Sequence, residues 1–400
     1  MSRRTLYFAI PALMILIFAA AVLIVTRKPD DPFQGDAIVN PAFPSLSYGI
    51  QAFLWWDGGE VGENLDRVTM MGFTYVKQTF AWSDMERKPG KWRFKESDHI
   101  LDETERRGLK VIVRLGEVPK WAQSTPIGDD VHDTPPADLD AWANYCGTIA
   151  SHYKGHIAGS QVWNEPNLSR EWGGRPVNAI EYTELLAACS LAIRAADPDA
   201  KIISAGLAPT GNEDTIALRD DVYLDQMYKA GFQQYVDAVG AHAPGFSAPD
   251  VDPSVPEAGR WASFRRVEDL RKIMIANGDA AHQIAILETG WTTDTVHPGY
   301  AWYAVSEADQ AKNLRAAYEY AAENWRPWVG LMSMIYIAKP TWTQDDEELW
   351  WAITEQRPGY IYNRPAFDAL VRMAKYCGDQ IMPARDMAKE IPVAPDNPCD

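Results

Sequence analysis

Two glutamates carry the chemistry this chain could do. Glu165 sits in Val162-Trp163-Asn164-Glu165-Pro166-Asn167, directly after Ile157-Ala158-Gly159-Ser160-Gln161, which reads as a short strand. Pro166 has no N–H to give a ladder, so the strand is expected to stop at Glu165. Glu288 closes the apolar run Ile284-Ala285-Ile286-Leu287, a pattern that predicts a buried strand. Two carboxylates facing each other can break a glycosidic bond with retention. One attacks the sugar; the other protonates the leaving oxygen and later deprotonates water. An acid that works near neutrality needs a raised pKa, and Trp163 and Trp172 would supply an apolar setting for Glu165. Arg114, at the end of a third predicted strand, either holds Glu288 ionised or makes a structural salt bridge. Glu117, just beyond, reads as a surface loop charge ahead of a ligand for a sugar hydroxyl, and Glu86 as a brace for its loop.

These carboxylates need a frame that brings strand ends together. Strands are expected at 48–54, 75–80, 110–115, 157–165, 202–205, 236–242, 284–288 and 331–337. Helices are expected between and after them at 60–71, 96–107, 139–153, 178–196, 223–230, 264–276, 308–323 and 365–376, with Asn178 as a cap. Eight strand–helix alternations predict an α/β fold, a (β/α)8 TIM barrel, whose carboxyl strand ends carry the active site. Glu165 and Glu288, on strands four and seven, would then face one another across its mouth.

Residues 5–26 hold no charged side chain and suffice for one membrane crossing, with Arg3 and Arg4 before them. The barrel is therefore expected to be preceded by an N-terminal transmembrane helix. The expected layout is a cytoplasmic stub and uncleaved signal anchor at 1–27, a Pro-containing extracytoplasmic tether at 28–46, the catalytic barrel at 47–380 and a Pro-rich tail at 381–400. This places the barrel outside the cell membrane, with the bilayer as partner to residues 5–26. A formal charge of −17 over 400 residues offers no basic stripe for nucleic acid. Of the four cysteines, Cys377 with Cys399 would staple the tail, while Cys146 and Cys189 read as buried helix residues. No His/Cys cluster has metal-ligand spacing, and the two-carboxylate reaction needs no metal or other cofactor.

The stretch from Asn164-Glu165-Pro166-Asn167-Leu168 through Trp172-Gly173-Gly174 to Tyr182 resembles family 39-like enzymes of glycoside hydrolase clan A. So do Asp197-Pro198, Asp237-Ala238-Val239-Gly240-Ala241-His242, and Trp82-Ser83-Asp84-Met85-Glu86 with Gly90 and Trp92. The resemblance spans roughly 47–375. It implies an O-glycosidase with Glu165 as acid/base, Glu288 as nucleophile, Asn164 on the sugar's 2-hydroxyl, and His242 at the nucleophile or the substrate. Two departures touch the sugar-stacking wall. Ala243-Pro244-Gly245 follows His242, leaving Phe246 as the nearest aromatic, and Tyr336 with Trp342 stands where the clan often ends strand eight in tryptophan.

Sixteen tryptophans are many for this length. Trp55, Trp56, Trp82, Trp121, Trp172, Trp291, Trp302, Trp342, Trp350 and Trp351 fall in or beside predicted strand-to-helix loops, where flat rings would stack on sugars, while some of them are expected to pack the barrel against its helices. The expected partner is an oligo- or polysaccharide, with a β-linked envelope or extracellular polymer the favoured form. A glycan-binding barrel without catalysis, an exo-acting glycosidase and a transglycosylase remain open at this stage.

Overall fold

The computed structural model describes residues 31–382 apart from 57, 58, 60, 127, 129, 130, 254–259, 378 and 379. Eight parallel strands close into a barrel in sequence order. They are β1 (Ser47–Gln51), β2 (Tyr75–Ala81), β3 (Lys110–Gly116), β4 (Ile157–Val162), β5 (Ile202–Ile203), β6 (Ala238–His242), β7 (Gln283–Thr289) and β8 (Val329–Met334). β1 closes the ring on β8 with Ser47 opposite Leu331 and Ile50 opposite Met334. A main helix follows each strand: α1 (Val61–Met70), α2 (Lys95–Glu105), α3 (Leu139–His152), α4 (Ala179–Ala196), α5 (Asp220–Lys229), α6 (Arg266–Ala276), α7 (Glu307–Asn324) and α8 (Pro365–Arg372), with single-turn helices at Trp82–Met85 before α2 and Pro298–Ala301 before α7. The expected cap holds: the Asn178 side chain accepts from the Ile180 and Glu181 amides and opens α4.

Strands buried on both faces read as apolar runs, which is why the period was legible in the sequence. Three features were not. β5 keeps only two residues of the four expected. A hairpin, β9 (Thr354–Arg357) with β10 (Tyr360–Asn363), is inserted before α8. The last helix stops at Arg372, and Lys375–Cys377 instead pairs antiparallel with Gln380–Met382.

The amino end of the barrel is plugged by a segment expected as a tether. Phe43 is buried there with Tyr75, Ile112, Ile203, Ala238, Ala285, Leu287 and Leu331. Its amide donates to Gln283 Oε1 (3.0 Å) and its carbonyl accepts from Gln283 Nε2 (3.0 Å), so one β7 side chain holds the plug. Gly159 on β4 makes room for it, since a Cβ there would lie 3.2 Å from the Phe43 ring.

Cys146 on α3 and Cys189 on α4 are buried, as expected, and are also joined in a disulfide, which corrects their reading as plain core residues. The transmembrane helix expected at 5–26 and the residues after 382, including Cys399 and its expected bond to Cys377, lie outside the described residues. Among the described residues no helix is long and apolar enough to cross a membrane.

Candidate active site

β4 ends at Val162, three residues short of Glu165, so Pro166 is not what stops it. The chain instead turns through two left-handed positions, Trp163 (φ 74°) and Glu165 (φ 41°). Such conformations cost side-chain-bearing residues about 1–3 kcal/mol each and persist only where the surroundings impose them. Here Trp163 N donates to Leu115 O (2.9 Å), Glu165 N to Gly206 O (3.1 Å), and the buried Trp163 indole to Glu171 O (3.0 Å). Asn167 ties the same loop to its neighbours, accepting from Ala208 N and donating to Ala208 O and Leu218 O.

Glu288 is the penultimate residue of β7. Its Oε1 accepts from Lys77 Nζ at 2.9 Å, and Lys77 also donates to Leu287 O at 3.3 Å. Between the two glutamates lies the buried His242 ring, with Nδ1 2.8 Å from Glu165 Oε1 and 3.7 Å from Glu288 Oε2. One oxygen from each glutamate and one His242 nitrogen fall within 4.8 Å of one another. Gly206 lets the imidazole lie flat against the backbone: a Cβ there would come within 2.2 Å of His242 Nε2.

Charge compensation governs this centre. Burial alone would push Glu165 up, but the hydrogen bond and charge of His242, with Arg170 3.3 Å away, outweigh it and draw the carboxyl down to about 2. The expectation of an apolar setting that keeps Glu165 protonated is therefore corrected. Trp163 and Trp172 are fully buried and packed edge to face (5.7 Å), while the carboxylate oxygens meet cations. Burial also opposes the Glu288 charge, and His242 and Lys77 overcome it, holding this carboxyl below its usual range. Desolvation pulls Lys77 down, and its bond to Glu288 works the other way.

Of the two readings of Arg114, the structure shows the salt bridge rather than a direct bond to Glu288. The Arg114 guanidinium bonds Glu117 at 3.1 Å, and the bond to Glu288 comes from Lys77 instead. Glu117 is no surface charge: it lines the cavity at φ 57°, its amide donating to Asp133 Oδ2. Glu86 braces its loop, accepting from the Trp82 indole (2.7 Å) and Gly90 N (2.6 Å).

The cavity over Glu165 and Glu288 holds about 600 Å³. Asn164, His242, Arg114 and Tyr336 line it, together with Gln51, Phe53, Phe246, Tyr300, Tyr303 and Trp351. Trp172 and Trp291 do not. Both are completely buried, Trp172 against Trp163 and Tyr182, Trp291 against Phe264 with its indole on Ser247 O. Trp342 stands behind the wall, 5.4 Å from Tyr336 and 5.0 Å from Phe53. Of the residues not singled out in the sequence, Lys77 carried the clearest signal. A lysine inside Tyr75-Val76-Lys77-Gln78-Thr79-Phe80 puts a charge within a barrel strand, and such a charge needs a partner. Arg170 and Tyr300 sit in single-turn helices, Ser169–Glu171 and Pro298–Ala301, too short for any periodicity to mark them. Among the described residues, Glu165, His242 and Glu288 are the group with geometry to share a metal ion. Lys77 and Arg170 already bring positive charge to the same two carboxylates, at Glu288 Oε1 and Glu165 Oε2.

The chain thus has the closed (β/α)8 architecture with two carboxylates at its carboxyl mouth. A family model described as beta-galactosidase, of the glycosyl hydrolase 42 type, matches residues 52–126. An endo-1,4-beta-xylanase A of Phanerodontia chrysosporium is 27% identical over 156 residues, 36% of this chain and 37% of that one. A beta-xylosidase of Geobacillus stearothermophilus is 28% identical over 132 residues, 30% of this chain and 25% of the relative. The chain thus spans only about a quarter to a third of these relatives. A family 39 glycoside hydrolase from Bacteroides cellulosilyticus WH2 shares the fold at TM-score 0.61 and 17% identity, over 84% of this chain and 64% of that one. The comparisons return the resemblance read in the sequence, that of a clan A (β/α)8 glycosidase, although the matching model is of family 42 and the fold neighbour of family 39.

Proposed function

We propose that the protein is a retaining O-glycosidase that cleaves β-linked glycans by double displacement. The observation that carries this reading is the approach of Glu165, His242 and Glu288 to within 4.8 Å, the spacing of a nucleophile and acid/base pair rather than one that leaves room for an intervening water. Glu288, kept ionised by Lys77 and His242, attacks the anomeric carbon and forms a glycosyl ester. The proton for the leaving oxygen lies in the hydrogen bond between His242 Nδ1 and Glu165 Oε1, so Glu165 acts as acid through that shared proton. Once Glu288 is esterified its negative charge no longer opposes ionisation of Glu165, which then takes a proton from water. Asn164, on the cavity wall beside Glu165, is placed to bond the 2-hydroxyl.

The same reading puts the enzyme on the outer side of a membrane, anchored by residues 5–26, acting on an envelope or extracellular polysaccharide. The Cys146–Cys189 disulfide supports an oxidising compartment.

Hydrolysis of aryl β-glycosides and soluble β-linked polysaccharides by the full-length chain, beside Glu288→Gln and Glu165→Gln, tests the proposal. Activity in the wild type, lost in both variants, is the expected result. Binding of glycan with no turnover by the wild type would replace it with a binding barrel.

A further inference from the structure

The catalytic cavity does not stop at the catalytic centre. Its β6-side wall is Phe246, and Phe246 opens an aromatic run that leads out of the pocket. Its ring meets Tyr303 at 4.5 Å and Trp261 edge-on at 5.3 Å, and lies nearly parallel to Trp302 at 5.9 Å and 20°. Trp302 rests on Tyr303 at 4.6 Å. Most large rings of this protein are consumed by the core; Trp82, Trp142, Trp163, Trp325 and Trp328 are completely buried. Trp302 is the reverse, with 64% of its surface in water. An indole held rigidly by its neighbours on one side and left in solvent on the other forfeits burial that the fold could have used. Ile216, 65% exposed, adds apolar surface at the same mouth.

We infer that Trp302, stacked on Phe246, is a glycan-binding subsite for sugar units beyond the one held between Glu165 and Glu288, so the natural substrate is a chain rather than a short glycoside. The inference rests on the glycosidase reading. Continuity decides the occupant. The platform begins in the cavity wall, so a chain whose reacting sugar lies at Glu288 must run out along it. A pyranose offers a flat C–H face to an indole, and sugar hydroxyls can meet Thr210 and Asn212, which line the cavity with Phe246. Of the tryptophans expected from sequence as subsites, Trp82, Trp172 and Trp291 are lost to the core, Trp351 stays on the cavity wall, and Trp302 continues the Phe246 track outward.

The test is calorimetric binding of xylo-, manno-, cello- and β-galacto-oligosaccharides, disaccharide against hexasaccharide, to the full-length Glu288→Gln protein with and without Trp302→Ala. At least one hexasaccharide is expected to bind about tenfold or more tightly than its disaccharide. Trp302→Ala should bring that ratio to within about twofold, and Trp302→Phe should restore most of it. The inference is overturned if no hexasaccharide binds more tightly than its disaccharide, or if Trp302→Ala leaves the ratio intact. Wild-type hydrolysis of aryl glycosides without any dependence on chain length would overturn the subsite and leave the glycosidase standing.

Discussion

The two ends of the barrel are built on opposite principles. At the amino end Phe43 seals a layer of aliphatic and aromatic side chains, and its polar backbone atoms are both satisfied by Gln283. At the carboxyl end the same strands carry Lys77, His242 and Glu288 into a site where burial works against every charge. The first end gains stability from packing, in proportion to area removed from water. The second spends some of it, because charges out of water are repaid only by close partners. The strained turns at Trp163 and Glu165 lie at the second end as well. Stability and chemistry are therefore segregated along the barrel axis, and each end can be broken without the other.

The largest effect is expected from Glu288→Gln, which should lower kcat on the order of 10⁴-fold, read in steady-state kinetics on the best aryl glycoside. Its fold should remain intact, since the amide oxygen can still accept from Lys77. Phe43→Ala should do the converse. It should cost about 3–5 kcal/mol in denaturant unfolding while activity per folded molecule stays within about twofold. A large loss of specific activity in that variant would break the separation of the two ends.

Lys77→Met isolates the compensating charge, acting as a positioning residue for the nucleophile. It should lower kcat by about 10²-fold. Removing a cation raises the Glu288 pKa, so the acid limb of the kcat/KM profile should move to higher pH. An unmoved acid limb would show that His242 alone sets the nucleophile. The smallest effect belongs to Arg170→Met. Arg170 stabilises the deprotonated Glu165–His242 pair, so its loss should move the alkaline limb up by about one pH unit or less. Both glutamates also carry a stability consequence. Their depressed pKa values make the pairing fully favourable above the ordinary glutamate value of 4.5 and progressively lost as pH falls below it, for Glu165 toward about 2.

The apolar end was the more legible one in the sequence. Runs such as Ile284-Ala285-Ile286-Leu287 can only be buried strands in such an alternation, and the eight units follow from them. Glu288 closed such a run, and it stands at the end of β7 as that pattern predicts. Glu165 was found from its motif, but its position on a strand was misread, because nothing in Trp163-Asn164-Glu165 marks two non-glycine residues at positive φ. That conformation is imposed by the carbonyls of Leu115, on β3, and Gly206, in the loop after β5. The choice between the two readings of Arg114 was open for a similar reason, and Lys77 was not singled out. Both are cations on neighbouring strands, and whether one points at Glu288 or at Glu117 depends on barrel register. Tryptophans were least legible of all: Trp172, Trp291 and Trp302 all follow strands, and only tertiary packing separates two core residues from one exposed ring.

The central claim is that Glu288 is the nucleophile and Glu165 its acid/base partner. Azide rescue of Glu288→Ala and Glu165→Ala on activated aryl β-glycosides, with the anomeric configuration of the glycosyl azide read by NMR, tests both assignments at once. The expected products are the inverted α-azide at position 288 and the retained β-azide at position 165. Undiminished activity in Glu288→Ala, or the same azide anomer from both variants, would contradict the assignment.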